Sequence, residues 1–242
     1  MRTKLISLSL VLLMGMSVWA QEPVTVSVYE DCSKNGKTED IRPSGEENGH
    51  TWVNLGLSVR WASCNIGATA PEDYGNYYAW GETETKADYS WATYKHANGA
   101  ENKLTKYCND ASYGDNGFTD DKTTLEPEDD AAHVNWGGVW RMPTDAEWTE
   151  LREQCTWTWT TLNGVYGCQV TSKINSNSIF LPAAGYRKYT NLRDAGSNGN
   201  YWSSSLDEDY PFYAWRVGFG SDGVIRNSSY RYYGRSVRPV CP

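Results

Sequence analysis

The side chains able to do chemistry can each be tested against the spacing that their chemistry needs. His50, His96 and His133 are scattered, as are Cys32, Cys64, Cys108, Cys155, Cys168 and Cys241, with no Cys-x-x-Cys or Cys/His spacing suited to structural zinc. The nucleophile elbow Gly-x-Ser-x-Gly, the metalloprotease His-Glu-x-x-His, the phosphate loop and the dinucleotide glycine pattern are absent from the sequence. The 30 Asp and Glu residues are enough for a glycosidase pair, but nothing singles out two of them, and an acidic solvated surface accounts for them more cheaply. Oxygen ligands for calcium are offered by Glu126, in Glu126-Pro127-Glu128, and by Asp115, Asp120 and Asp121 around Asp115-Asn116-Gly117. Their spacing fits no EF-hand loop, and they read equally as a solvated loop leading into a short helix. No catalytic residue is expected, and no cofactor, with calcium left open.

Aromatic rings carry the best positive signal: Trp 12, Tyr 17 and Phe 4 make up 14% of the chain. Flat rings stack on the apolar faces of sugars and anchor protein interfaces at little entropy cost. Between Asp207 and Arg235 they are interleaved with Asp, Asn, Ser, Gly and Arg, a mixture closer to a binding surface than to a buried strand set. The expected ligand-binding residues are Asp207, Glu208, Asp209, Tyr210, Phe212, Tyr213, Arg216, Asn227, Tyr230 and Tyr232. Trp215 and Phe219 are assigned to the core, because with Val217 they alternate against Arg216, Gly218 and Gly220. Arg141, Arg187 and Arg238 belong to no basic cluster and read as guanidinium groups holding loop carbonyls rather than anions.

The elements that must position these residues are mostly short strands. Apolar bursts at Val53–Leu55, Val59–Ala62, Tyr77–Trp80, Ile179–Leu181, Tyr201–Ser203, Trp215–Phe219 and Ser236–Val240 are punctuated by Gly, Asn, Asp and Ser. One helix announces itself at Thr144-Asp145-Ala146-Glu147, a capping box, with Trp148, Leu151 and Cys155 on one face. A weaker helix is expected from Glu128 to Val134, its acidic start complementing the helix dipole. Residues 21–49 are polar, apart from a short strand at Val24–Val28, and read as an arm or linker. The fold class expected is α+β, one domain over residues 50–242 with few helices and many short, irregular strands.

Composition and leader narrow the setting. At 39% hydrophobic residues the chain has a core to bury, and a net charge of −8 with no basic run excludes duplex nucleic acid as the main partner. Residues 1–20 read as a secretory signal peptide: Arg2 and Lys4 precede an apolar run, and Val18-Trp19-Ala20 suits cleavage. The apolar run is short for a membrane span, and no second candidate follows. The protein is therefore expected to be exported, to the periplasm, the cell surface or the medium, where its cysteines are free to form disulfides. Sequence leaves fifteen full pairings of six cysteines open, with Cys155–Cys168 placed for a local bridge and Cys241 for tying down the tail.

Seven separated phrases carry a resemblance. They are Leu55-Gly56-Leu57, Trp61 to Ala68, Tyr74 to Glu82, Trp140-Arg141-Met142-Pro143-Thr144, Ile179 to Arg187, Tyr201-Trp202-Ser203-Ser204 and Ser236 to Val240. In this order they resemble the Fibrobacter succinogenes major paralogous domain of exported gut Bacteroides proteins, over roughly residues 50–242. That family is similar in fold to C-type lectins and to the formylglycine-generating enzyme, so a C-type-lectin-like fold is implied. The oxidase chemistry is not implied, because its pair of C-terminal cysteines has no counterpart between Tyr201 and Val240. The last forty residues also look like the variable segment of diversity-generating retroelement targets, with the ten expected site residues among the changeable positions. The expected function is non-catalytic recognition of a glycan or of an extracellular or surface protein. A structural or adhesive subunit of an envelope assembly is the alternative, and a cryptic carbohydrate-active enzyme comes after it.

Overall fold

The computed structural model describes residues 42–242. The expected signal peptide, the strand at Val24–Val28 and Cys32 lie outside them. The first elements are β1 (Ser44–Glu47) and β2 (His50–Val53), joined by Asn48-Gly49 with φ of 45° and 78°. Left-handed backbone at both central turn residues gives the twist that a tight hairpin needs, and Asn-Gly tolerates it best. Among the described residues regular structure begins at Ser44, inside the segment expected to be a linker. With β3 (Arg60–Ala62) and β12 (Val240–Cys241) these strands form a four-stranded sheet in the order β1-β2-β3-β12.

Two helices follow in the chain. α1 (Ala131–Trp136) is shorter than the expected Glu128–Val134 helix at its start, because Pro127–Asp129 forms a separate tight 3-10 turn. Asp130 caps α1 through Oδ1, accepting from the Ala132 and His133 amides at 2.8 and 3.0 Å, while Oδ2 accepts from Met142 N–H at 2.8 Å. One carboxylate therefore fixes both the helix start and the chain that leads to the next helix. α2 (Asp145–Gln154) has the full capping box: Thr144 Oγ1 accepts from Glu147 N–H at 3.2 Å, and the Glu147 carboxylate accepts from Thr144 N–H at 2.8 Å. Trp148 and Leu151 are buried as expected, but Cys155 opens a strand rather than closing the helix.

The remaining strands are all in antiparallel hairpins or meanders. β4 (Cys155–Leu162), β5 (Val165–Ser172) and β6 (Ser178–Pro182) form one three-stranded sheet. β7 (Tyr186–Lys188) pairs β8 (Asn191–Arg193), and β9 (Gly199–Leu206), β10 (Tyr213–Gly220) and β11 (Gly223–Tyr230) form the sheet that carries the candidate site. Few helices and many short antiparallel strands in several small sheets make this a β-dominated α+β fold. The expected strand at Tyr77–Trp80 is an irregular extended segment: Tyr78 and Trp80 N–H donate to the carbonyls of Arg235 and Arg231 at 2.9 and 2.8 Å. Of the expected strand at Ser236–Val240, only Val240 lies in a strand, β12.

Tryptophan and tyrosine dominate the core in three clusters. One gathers Trp80, Trp140, Trp202 and Val237, a second Trp61, Trp148, Tyr201 and Phe219, and a third Tyr77, Tyr89, Tyr94, Phe212 and Tyr232. Trp215 is half-buried rather than core, with the Arg226 guanidinium 3.4 Å from its ring centroid and held there by Asp145. The local Cys155–Cys168 bridge that the sequence left open is not formed. In the β4–β5 register Cys155 faces Ser172 and Cys168 faces Trp159, four positions away along the hairpin. At about 3.3 Å per residue that separation is far beyond disulfide reach. Among the described residues Cys64, Cys108, Cys155, Cys168 and Cys241 are all free thiols, and burial pushes the Cys155, Cys168 and Cys241 thiols up to about 11, 12 and 11. Such thiols stay protonated and unreactive at neutral pH.

Candidate functional site

The site sheet sorts the expected residues onto different surfaces. Along β10 and β11 the register pairs Tyr213 with Tyr230 and Arg216 with Asn227. Residues an odd number apart on a strand point to opposite faces, so the tyrosine pair and the Arg216–Asn227 pair cannot meet one ligand from the same side. The connection from β9 to β10 folds tightly: Tyr210 N–H donates to Asp207 O and Tyr213 N–H to Tyr210 O, at 3.3 and 2.7 Å. The Asp207 carboxylate turns inward, buried, and accepts from Asp209 N–H at 3.2 Å. Asp207 is therefore a turn-former. Phe212 and Tyr232 are also buried, against Tyr113 (4.7 Å between ring centroids) and Trp91 (5.1 Å). These three leave the expected set because they are buried, Asp207 within its own turn and Phe212 and Tyr232 under rings from distant parts of the chain.

What remains is a tyrosine array of one exposed and several half-buried rings. Tyr210 is 52% exposed, and its ring lies 6.2 Å from that of half-buried Tyr213, which meets Tyr230 edge-on at 4.8 Å. Tyr233 joins at 5.8 Å from Tyr230, and Trp91 at 6.2 Å. Beneath the array Phe212 packs at 4.4 Å from Tyr213, so a buried ring braces the outer ones. Burial, with the neighbouring Tyr230 phenol, pushes the Tyr213 phenol up to about 12, and it stays a neutral donor at physiological pH. Glu208 and Asp209 are exposed beside Tyr210. Sequence reading missed Trp91 and Tyr233; Trp91 lies more than a hundred residues away with no local signal, whereas Tyr233 adjoins Tyr232 and follows the same ring density.

The calcium candidates do not converge. Asp120 is spent on the Tyr107 and Cys108 amides at 2.8 and 2.9 Å, and Asp115 accepts from Asn98 at 2.7 Å. Among the described residues the acidic group tight enough to share a cation is Glu126, Glu128 and Asp129, and the Lys106 ammonium already lies 2.5, 3.4 and 2.6 Å from them. Lysine takes the part that a calcium ion would take there. Burial raises the Asp129 carboxyl, but hydrogen bonds from Lys106 and Lys95 win and hold it at about 2.

Beside this network His96 is buried, its Nε2 2.8 Å from Gly81 O and 3.5 Å from Asp129 Oδ1. Burial lowers its pKa to about 4. The unfolded imidazole protonates near 6.5, so below that pH the unfolded chain binds a proton that the folded chain refuses. Stability from His96 is therefore complete above pH 6.5 and falls as pH drops to about 4, by about 3 kcal/mol in all. Asp129 adds a further loss as pH falls from about 4 toward 2. Urea midpoints at pH 7.5, 5.5 and 4.2 will show the first decline, and His96→Gln will flatten it; an equally steep decline in that variant would place the titration elsewhere.

Residues 169–240, from β5 into β12 and including the whole site sheet, match a family described as a domain of unknown function (DUF8237). No curated protein matches the chain, and no solved structure does.

Proposed function

We propose that this is an exported, non-catalytic binding protein with a C-type-lectin-like fold, and that it holds a glycan against Tyr210, Tyr213 and Tyr230. The observation that carries the reading is the tyrosine array: exposed Tyr210 and half-buried Tyr213 and Tyr230, with the Tyr213 ring 6.2 Å from the first and 4.8 Å from the last, over the buried ring of Phe212. Rings fixed before the ligand arrives lose little entropy on binding, and their phenol groups add hydrogen bonds to sugar hydroxyls. The resemblance fits this division of labour. Its phrases supply scaffold side chains that are buried, such as Trp61, Trp80, Trp140, Tyr201, Trp202 and Val237, while Glu208, Asp209, Tyr210 and Asn227 face solvent.

The test is a glycan array probed with the purified protein, repeated with a calcium chelator. Specific binding is expected, unchanged by the chelator because Lys106 fills the acidic cluster. Tyr210→Ala is expected to weaken the best hit about tenfold, the scale of one stacking ring. Its thermal midpoint will stay within about 2 °C, since Tyr210 is exposed. A blank array from folded protein, or undiminished binding by Tyr210→Ala, would remove the glycan reading and leave a protein partner for this face.

A further inference from the structure

Against the site sheet lies a cavity of about 530 Å³, lined by Asn200, Arg216, Gly218, Ser229, Tyr233 and Arg235 among others. Arg235 is 2% exposed. Its Nη1 donates to Asn200 Oδ1 at 2.7 Å and its Nη2 to Ser229 Oγ at 2.8 Å, both neutral acceptors. Its Nε is buried with no partner, and so is that of half-buried Arg216. Arg216 lies across Gly218, where any side chain would collide with Nη1, so the bare glycine backbone makes room for the guanidinium.

These two arginines differ from the other buried guanidinium groups of the same molecule. Arg231 donates to the carbonyls of Lys106, Tyr107 and Pro211 and to Tyr94 Oη, and Arg238 donates to three carbonyls and Asn65. Those are structural clamps. Arg216 clamps no carbonyl, and Arg235 instead bridges the Asn200 and Ser229 side chains while lying over the rings of Trp202, Tyr186 and Tyr233 at 4.8, 5.2 and 5.6 Å. Each feels burial and weak attraction from phenols, and Arg235 also feels the like charge of Arg216. Among the described residues no carboxylate forms an ion pair with either arginine, and the carboxylates at the lining of the same cavity are those of Asp194 and Asp222. Two adjacent, partly desolvated positive charges are costly unless an anion completes them.

We propose that Arg216 and Arg235 anchor the oxyanion of an acidic sugar, a uronate carboxylate or a sulfate ester. Forked N–H donors match both groups. The cavity is larger than a bare ion needs and has the size of small-ligand sites. Tyr186 and Tyr233, stacked on one another at 5.5 Å, form an aromatic wall of the cavity, and Asp194 and Asp222 at the lining can accept from sugar hydroxyls. This site stands independently of the tyrosine array, although Tyr233 touches both.

The experiment is calorimetric titration of the purified full chain with D-glucuronate, glucose 6-sulfate and D-glucose, in buffer free of phosphate and sulfate. At least one acidic sugar is expected to bind ten or more times tighter than glucose, and to weaken severalfold between 50 and 500 mM NaCl. Which of the two acids binds assigns carboxylate or sulfate. Arg216→Gln is expected to abolish the preference at least tenfold while circular dichroism stays unchanged, and Tyr210→Ala is expected to leave it intact. Equal affinity for acids and glucose, no binding of any of them, or salt-insensitive binding would overturn the proposal, as would an Arg216→Gln protein that still prefers the acid. The salt series needs no variant, so it decides the matter even where Arg216→Gln fails to fold.

Discussion

Arg238→Ala is expected to cost at least about 4 kcal/mol of stability, the largest effect of any single change considered for this chain. Arg238 is fully buried. Its Nε donates to Asn65 Oδ1 at 2.9 Å, Nη1 to the carbonyls of Ala62 and Ser63 at 3.0 and 2.6 Å, and Nη2 to Phe180 O at 2.9 Å. One guanidinium thus ties the end of β3 and the loop after it to β6 from a position next to β12. Alanine leaves those four acceptors without donors, each worth about 1–3 kcal/mol when buried, and opens a void as well. Lysine will not rescue it, because one ammonium cannot reach acceptors set around a planar fork. Urea denaturation measures the loss, and a change below about 1 kcal/mol would mean that the carbonyls find other donors. Arg216→Met serves as the contrast. It breaks no structural clamp, so its midpoint is expected to hold or rise slightly.

Trp148→Ala is the second large effect, expected at about 3–5 kcal/mol for a fully buried indole. Trp148 is 1% exposed, and its ring lies 4.7 Å from that of Trp61 and 5.8 Å from that of Tyr201. Its Nε1 donates to Trp202 O at 3.1 Å. The side chain therefore joins α2 to β3 and to β9 in one cluster, and its removal leaves both a cavity and an unpaired carbonyl. Phenylalanine at this position should recover part of the loss by refilling the space, without the hydrogen bond. A denaturation midpoint that barely moves for Trp148→Ala would contradict this packing.

Both residues were marked in the sequence for reasons that hold in the structure. Trp148 follows a capping box and shares a face with Leu151, an argument that needs only residues within a few turns of one another. Arg238 lies outside any basic cluster, which suits a clamp on carbonyls. Two hairpins are equally readable in the sequence: Asn48-Gly49 between β1 and β2, and Asn163-Gly164 between β4 and β5, both with left-handed backbone at each turn residue. The alternating Thr and Trp of residues 156–160 also wrote β4 into the sequence, where a one-sided strand shows its period directly.

The candidate site was legible only in part. Ring density located the right stretch of chain, and Tyr210, Tyr213 and Tyr230 do come together. That density cannot say which rings are covered, because cover comes from elsewhere: Tyr113 over Phe212 and Trp91 over Tyr232. Nor does it reveal that Arg216 belongs with Arg235 rather than with the tyrosines, since that follows from strand register and from Gly218 beneath the guanidinium.

The sequence by itself determined the local pieces: the capped helix α2, the β-dominated pattern of short strands and the wealth of rings near the C-terminus. Each rests on interactions between near neighbours, which composition and period express. Tertiary structure alone decided which face each side chain takes, which cysteines stay apart, and which charges lack a partner. Those outcomes depend on contacts between residues far apart in the chain, as when Arg238 closes on Ala62 or Lys106 settles among Glu126, Glu128 and Asp129.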